Sequence, residues 1–104
     1  MIKGILRISR VVAFYDVVLD GSVIPIPSMK IRVVENGTDD YLAFSNLHRV
    51  DRKHGTPEGV AGMGNSIQDA VDDLLKEFFR DIEHSRPAEG YTEKDFGWQD
   101  PETF

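Results

Sequence analysis

The most regular hydrophobic pattern in the chain repeats every three or four residues between Asn65 and about Glu83. Its apolar members share one face of a helix: Ile67, Ala70, Val71, Leu74, Leu75, Phe78 and Ile82. Asn65 or Ser66 can cap the first turn by accepting a hydrogen bond from a free amide, and Arg86-Pro87 marks the end of the pattern. The sequence therefore predicts one long amphipathic helix.

Alternation with period two predicts a β-hairpin before this helix. Residues 29–33 place Met29, Ile31 and Val33 on one face of a strand and two basic residues on the other. Asn36-Gly37 favours a two-residue hairpin turn, and residues 40–44 supply the return strand.

An earlier hairpin is predicted over residues 2–26. Residues 2–19 are rich in β-branched and aromatic side chains, Asp20-Gly21 favours a tight turn, and residues 22–26 would return. Pro25 and Pro27 cannot donate to a ladder, so the return strand should be short or at an edge. Residues 1–8 alternate apolar and polar residues, which indicates a strand and not a signal peptide.

The remaining segments complete the predicted architecture. Residues 45–58 lack periodicity and predict a loop, and the glycine-rich residues 59–64 lead into the helix, with room for a short strand. We therefore predict an α+β fold, in which an antiparallel sheet of about four or five strands in hairpins packs against one long amphipathic helix. Residues 1–86 would form this single domain, and residues 87–104 an acidic, aromatic-containing C-terminal tail.

Composition narrows the class of protein. The 104 residues are 40% hydrophobic and 29% charged, as in ordinary globular domains. No apolar run approaches the roughly 18 residues that a membrane span requires, so we expect no membrane partner. The chain has no cysteine, which excludes disulfides and thiol chemistry and is compatible with the cytoplasmic location that we expect.

Negative charge is concentrated in the C-terminal part of the chain. Residues 1–65 carry eight Lys and Arg against seven Asp and Glu, whereas residues 66–104 carry four against eleven. The candidate partner-binding acids all lie on the helix: Asp69, Asp72, Asp73, Glu77 and Asp81. The tail adds aromatic candidates for contact with a partner, Tyr91, Phe96 and Trp98, although the same rings could instead cover the sheet.

A basic cluster forms a second candidate surface, of opposite charge. Its members are His48, Arg49, Arg52, Lys53 and His54. The cluster could bind nucleic acid or an acidic protein patch, or it could be solvated, which is common for charged loops. The spacing of His48, Asp51 and His54 would allow a metal ligand set, but the neighbouring basic residues would repel a cation, so we predict no metal site.

Catalytic motifs are missing from the sequence. None of the serines lies in a Gly-x-Ser-x-Gly context. The run Gly59-x-x-Gly62-x-Gly64 departs from the phosphate-binding fingerprints and precedes three helical aspartates. We therefore predict no catalytic residues, no cofactor and no enzymatic activity.

Residues 29–83 resemble the HicB-like antitoxin domain, in which a hairpin precedes a Gly-x-Ser/Thr-x-x-Glu-Ala-x-x-Asn-Leu helix start. The positions that match in register are Gly64, Ser66, Asp69, Ala70, Asp73 and Leu74, with Asp in place of both Glu and Asn. The chain departs from that family in the longer connection at residues 48–58, in the extra hairpin, and in having no counterpart of the C-terminal DNA-binding unit. The resemblance implies a compact fold similar to the double-stranded-RNA-binding domain. It also implies a protein that masks a small, basic, RNA-cleaving toxin.

Together these features predict a non-enzymatic protein-binding regulatory module. It would bind a basic protein through its acidic helix face and tail, and its sheet edges would also allow a homodimer. The alternative is a nucleic-acid-binding accessory protein that uses the basic residues 48–54.

Overall fold

The computed structural model describes residues 2–104 and contains seven strands, one α-helix and one turn of 3₁₀-helix, Glu93–Asp95. The strands are β1 (Arg10–Val18), β2 (Ser28–Gly37), β3 (Asp40–Ser45), β4 (Leu47–Val50), β5 (Pro57–Glu58), β6 (Ala61–Gly64) and β7 (Phe96–Trp98). The helix, α1, spans Ile67–His84. The α+β prediction is confirmed: an antiparallel four-stranded sheet in the order β1-β2-β3-β6 and a three-stranded sheet in the order β5-β4-β7 accompany one long helix.

The core lies between the four-stranded sheet and α1. Met29, Ile31 and Val33 of β2 are at most 2% exposed, as their alternation predicts, and they pack with the apolar stripe of the helix. That stripe is buried at Ala70, Val71, Leu74, Phe78 and Ile82. The opposite surface of the sheet, here called the outer face, carries Phe14, Arg32 and Phe44, which are paired across neighbouring strands.

The helix begins as the sequence predicts. Ser66 is the N-cap, and its hydroxyl accepts a hydrogen bond from the Asp69 amide at 3.0 Å. This bond satisfies one of the amides that a first turn leaves free.

The prediction of the first hairpin is wrong about the return strand. Residues 22–26 form no strand, and β1 pairs instead with β2, from Val18 opposite Ser28 to Arg10 opposite Glu35. The intervening loop closes on itself because the Asp20 carbonyl accepts hydrogen bonds from the amides of Val23 and Ile24, each at 3.0 Å. Pro25 and Pro27 have no amide for a ladder. The loop instead inserts Ile24 and Ile26 into the core.

The second hairpin is confirmed, but its turn is displaced by two residues. Thr38 and Asp39 form the turn, and Asp39 has φ = 50°. Asn36 and Gly37 end β2, where the register shifts between Glu35 and Gly37. The Asn36 side-chain amide donates to the Asp40 carboxylate at 2.9 Å. This bond links β2 to β3 across the turn.

The prediction of a loop over residues 45–58 is wrong at both of its ends. β4 and β5 lie there, and β4 also pairs with β7 from the tail. The chain changes sheets at Asn46, whose side-chain carbonyl accepts from the Lys30 amide at 2.7 Å and whose backbone carbonyl accepts from Gln99 at 2.7 Å. One residue therefore connects the two sheets.

The predicted strand at the start of the chain does not form. Residues 2–9 contain a turn, a bend and otherwise irregular backbone, and regular pairing begins at Arg10. Met1, which belongs to the predicted strand, lies outside the described residues. Within residues 2–104 no helix is long and apolar enough to cross a membrane.

The short predicted strand before the helix is present as β6, and two of its glycines bring α1 into direct contact with backbone. A Cβ atom at Gly62 would lie 2.7 Å from Leu74 Cα and closer still to Leu74 N, and one at Gly64 would lie 2.7 Å from Ala70 N. Cβ atoms do not approach backbone so closely. Glycine at these two positions therefore sets the distance between helix and sheet.

We expect Gly62→Ala to destabilise the fold by about 3 kcal/mol, because neither the helix backbone nor β6 can move without opening the core. Urea unfolding followed by circular dichroism measures the difference. Gly59→Ala is the matched control, since a Cβ at Gly59 meets no atom within 4 Å. Equal stabilities of the two variants would contradict the close-contact role of Gly62.

Candidate partner-binding surfaces

The five candidate acids of α1 separate into exposed and internally bonded residues. Asp69 and Asp72 are exposed, and Asp72 accepts a hydrogen bond from the neighbouring Gln68 side chain at 2.8 Å. Glu77 is half-buried and forms an i, i+3 ion pair with the exposed Arg80 at 2.9 Å. These three residues leave carboxylates at or near the solvent side of the helix.

Asp73 and Asp81 have structural partners instead. One Asp73 oxygen accepts the backbone amide of Met63 in β6 at 3.0 Å. Asp81 receives both arms of the Arg49 guanidinium, at 2.8 and 3.1 Å. Asp73 and Asp81 are therefore less available to a partner protein than Asp69 and Asp72.

The two arginines of the basic cluster are also committed to the fold. The Arg49 side chain is only 14% exposed, and its hydrogen bond to Asp81 raises the pKa of its guanidinium. Arg52 donates to both oxygens of Asp95, at 2.6 and 2.9 Å, and contacts Glu89 as well. Bidentate pairs of this kind orient both partners, so β4 and the loop after it are tied to the helix and to the tail.

The other members of the basic cluster differ in their surroundings. Lys53 and His54 are exposed, and the His54 ring bonds the Asp51 carboxylate at 2.7 Å, which lowers the pKa of Asp51. His48 is half-buried beside Gly97, where a Cβ would lie 2.7 Å from His48 Nε2. Within residues 2–104 no group of three or more His, Asp or Glu side chains is arranged to hold a metal ion.

The tail aromatics fall into two groups. The Tyr91 hydroxyl donates to the carbonyl of Ile82 at 2.6 Å, and its ring lies 5.3 Å from that of Phe96, which is 9% exposed. These two rings cover the end of the core. Trp98 is 53% exposed on β7, so of the three predicted contact residues it is the one that faces solvent most.

A groove that the sequence pattern does not indicate lies between the outer face and the C-terminal segment. Its volume is about 450 Å³, and its walls include Phe14, Lys30, Trp98 and Phe104. Arg32 holds the Phe104 side of the groove in place. Its guanidinium lies 5.8 Å from the centroid of the Phe44 ring and 5.1 Å from that of Phe104, and it donates to the Phe104 carbonyl at 2.8 Å. Residues so distant in sequence carry no local signal, although period two already places Arg32 on the outer face.

No protein-family model matches this chain, and neither a curated protein nor a solved structure is similar enough to count as a match. The functional interpretation of these surfaces therefore rests on their geometry.

The ion pair between Arg52 and Asp95 makes stability depend on pH. The two hydrogen bonds from Arg52, followed by those from Thr92, lower the pKa of Asp95 from 3.8 to about 2. A carboxylate whose pKa is lower in the folded protein stabilises the fold above its unfolded pKa, and this stabilisation disappears as the pH falls.

We expect Asp95→Asn to lose about 1 kcal/mol of stability at neutral pH, less than the full pKa shift implies because solvent screens the exposed side of Arg52. The loss should shrink as the pH falls from about 4, where the unfolded carboxyl begins to bind its proton, and should vanish below about pH 2, where the native carboxyl is protonated as well. Urea unfolding at neutral pH and at low pH measures both values. Glu93→Gln, at an exposed neighbour, is the control, and a pH-independent difference for Asp95→Asn would refute the electrostatic explanation.

Proposed function

We propose that this chain is a non-enzymatic, cytoplasmic protein-binding module with a HicB-like core. It binds a basic protein partner through the exposed acids of α1 together with the tail. One observation carries the proposal: Asp69 and Asp72 face solvent, whereas Arg49 and Arg52 are held in ion pairs with the chain's own carboxylates.

The consequence of that pairing is electrostatic. Arg49 and Arg52 are neutralised by three acids of the helix and tail, and the other eight acids of residues 66–104 still outnumber the four Lys and Arg there. A field of one sign accelerates encounter with a partner of the opposite sign and discriminates against partners of the same sign. This supports a basic partner.

The contact surface is narrower than the sequence predicts. Asp73 holds the edge of β6 and Asp81 holds Arg49, so both are kept out of the proposed contact. Asp69, Asp72 and Glu77 remain on the helix, and Trp98 supplies an exposed aromatic ring from the tail. Tyr91 and Phe96 act in the proposal only by holding the tail in place.

The order of elements in the matched region supports the proposed HicB-like core. β2 and β3 form a hairpin, β6 pairs with β3 after the insertion that holds β4 and β5, and Gly64 and Ser66 precede a helix with Ser66 as its cap. If the resemblance holds in function, the basic partner would be a small RNA-cleaving toxin, which this chain would mask without acting on it chemically.

The test begins with co-purification of the tagged chain from extracts of the cells that encode it. We expect a small basic protein in stoichiometric amount, and recovery of only acidic or neutral proteins would contradict the proposal. The purified partner is then titrated by isothermal calorimetry at low and high salt.

In that titration Asp72→Lys should weaken binding about tenfold at low salt, and the difference should shrink at high salt as screening increases. Glu58→Lys makes the same change in net charge at an exposed residue of β5 and should alter the affinity less than twofold. Equal weakening by the two variants would mean that only net charge matters, and no weakening by Asp72→Lys would exclude this helix face.

The alternative proposal, nucleic-acid binding through residues 48–54, has less support, because phosphate contacts need free cations and Arg49 and Arg52 already bind carboxylates. Lys53 is the exposed lysine of that segment. A mobility shift with single- or double-stranded probes at low salt that Lys53→Ala abolishes would favour the alternative over the protein partner.

A further inference from the structure

The two edges of the four-stranded sheet are protected very differently. At one edge β6 has only four residues, and the amide of Met63 is occupied by the Asp73 carboxylate at 3.0 Å. At the other edge β1 has nine residues and pairs on one side only, with β2, among the residues described. An unprotected edge strand presents free amides and carbonyls to another chain.

β1 carries few of the devices that prevent such pairing over its C-terminal half. It contains no proline, and its two charged side chains are directed at β2: Arg10 lies 3.5 Å from Glu35 and Asp16 lies 3.5 Å from Lys30. A bulge interrupts the register between Val11 and Ala13, so the regular part of the edge runs over residues 13–18.

Large apolar side chains follow this edge. Phe14 is 61% exposed, Tyr15 is 41% exposed and Val18 is 86% exposed. The chain before β1 adds more: Leu6 is 95% and Ile8 82% exposed, and neither belongs to the core. Apolar side chains concentrated at one edge, and not scattered, mark an interaction surface.

We propose that β1 pairs antiparallel with β1 of a second copy, to give a symmetric dimer with a continuous eight-stranded sheet. This inference goes beyond the proposed function, since it concerns self-association and not the basic partner. A two-fold axis perpendicular to the sheet keeps the outer faces of both copies on the same side. It therefore requires that a residue of β1 lie opposite its own equivalent.

Side-chain chemistry selects the register. Centring on Asp16 places two carboxylates opposite each other, which is unfavourable. Centring on Tyr15 pairs two rings, but it places Phe14 against Asp16, and Tyr15 lies opposite the buried Ile31 and is only 41% exposed. Centring on Phe14 pairs the more exposed rings, at 61%, across the axis on the outer face, an arrangement that stabilises antiparallel strands. We therefore place the axis at Phe14.

The same register places the segment before β1 next to the second copy. In antiparallel pairing, the residues that precede one strand run beside the end of the other. Ile8 of each copy then lies near the Val18 end of the partner strand.

The area is sufficient for a dimer of moderate affinity. Burial of Ile8, Phe14, Tyr15 and Val18, at about 100 Å² each, together with the strand backbone gives roughly 500 Å² per copy. This lies somewhat below the roughly 800 Å² per partner of a standard interface. Because interfaces below the standard size are typically weak, we expect association in the micromolar range.

The test measures the mass of the full chain by sedimentation equilibrium over a concentration series that spans the micromolar range. We expect a monomer–dimer equilibrium that Phe14→Lys weakens at least tenfold, because it places two ammonium groups at the axis. Met63→Lys is the matched control, since Met63 is 65% exposed on the same outer face but on β6, and it should leave the equilibrium unchanged.

Single cysteines test the register, because the chain contains none of its own. Phe14→Cys should form a disulfide-linked dimer on mild oxidation, since residues on the axis bring their Cβ atoms to about 5 Å. Tyr15→Cys, Asp16→Cys and Met63→Cys should cross-link far less.

Three outcomes would overturn the proposal. A monomer at every concentration without cross-linking means that the edge pairs with no second copy and is left for a different chain. A dimer that Met63→Lys dissociates and Phe14→Lys does not would place the interface at β6. Efficient cross-linking at residue 16 in place of residue 14 would refute the register.

Discussion

The contact between α1 and the backbone of β6 is the constraint on which the other packing depends. With Gly62 and Gly64 beneath it, the helix approaches the sheet closely enough to bury Ala70 and Leu74 completely. The short side chain of Ala43 on the neighbouring strand is buried for the same reason. This approach also brings Asp73 within reach of the Met63 amide, so the helix that covers the core protects one edge of the sheet as well.

Ion pairs extend this unit to the second sheet and the tail. Arg49 connects β4 to the helix through Asp81, and Arg52 connects the following loop to Asp95 and Glu89. The basic residues therefore contribute to the fold first, and their use inside the molecule leaves acid at its surface. Structure and proposed recognition thus depend on the same distribution of charge.

Local patterns predict those parts of the molecule in which neighbours in sequence determine the structure. The stripe and cap of α1, the alternation of β2 and the β2–β3 hairpin are all of this kind. The predictions are wrong where a segment distant in sequence determines the local structure. Residues 47–50 become a strand because Phe96–Trp98 pairs with them, and residues 22–26 remain a loop because β1 pairs with the distant β2 and the core takes up Ile24 and Ile26. The candidate acids were located correctly on one helix, but only three-dimensional packing shows that Asp73 and Asp81 already have partners.

Trp98 gives the molecule a built-in spectroscopic reporter. It is the one tryptophan in the sequence, it is held opposite Leu47 in the second sheet, and its ring borders the groove beneath the C-terminal segment. Its emission therefore depends on whether the tail is docked and on whether the groove is filled with water or with an apolar group. Detachment of the last strand, which would leave the helix signal in circular dichroism intact, can thus be distinguished from global unfolding without any label.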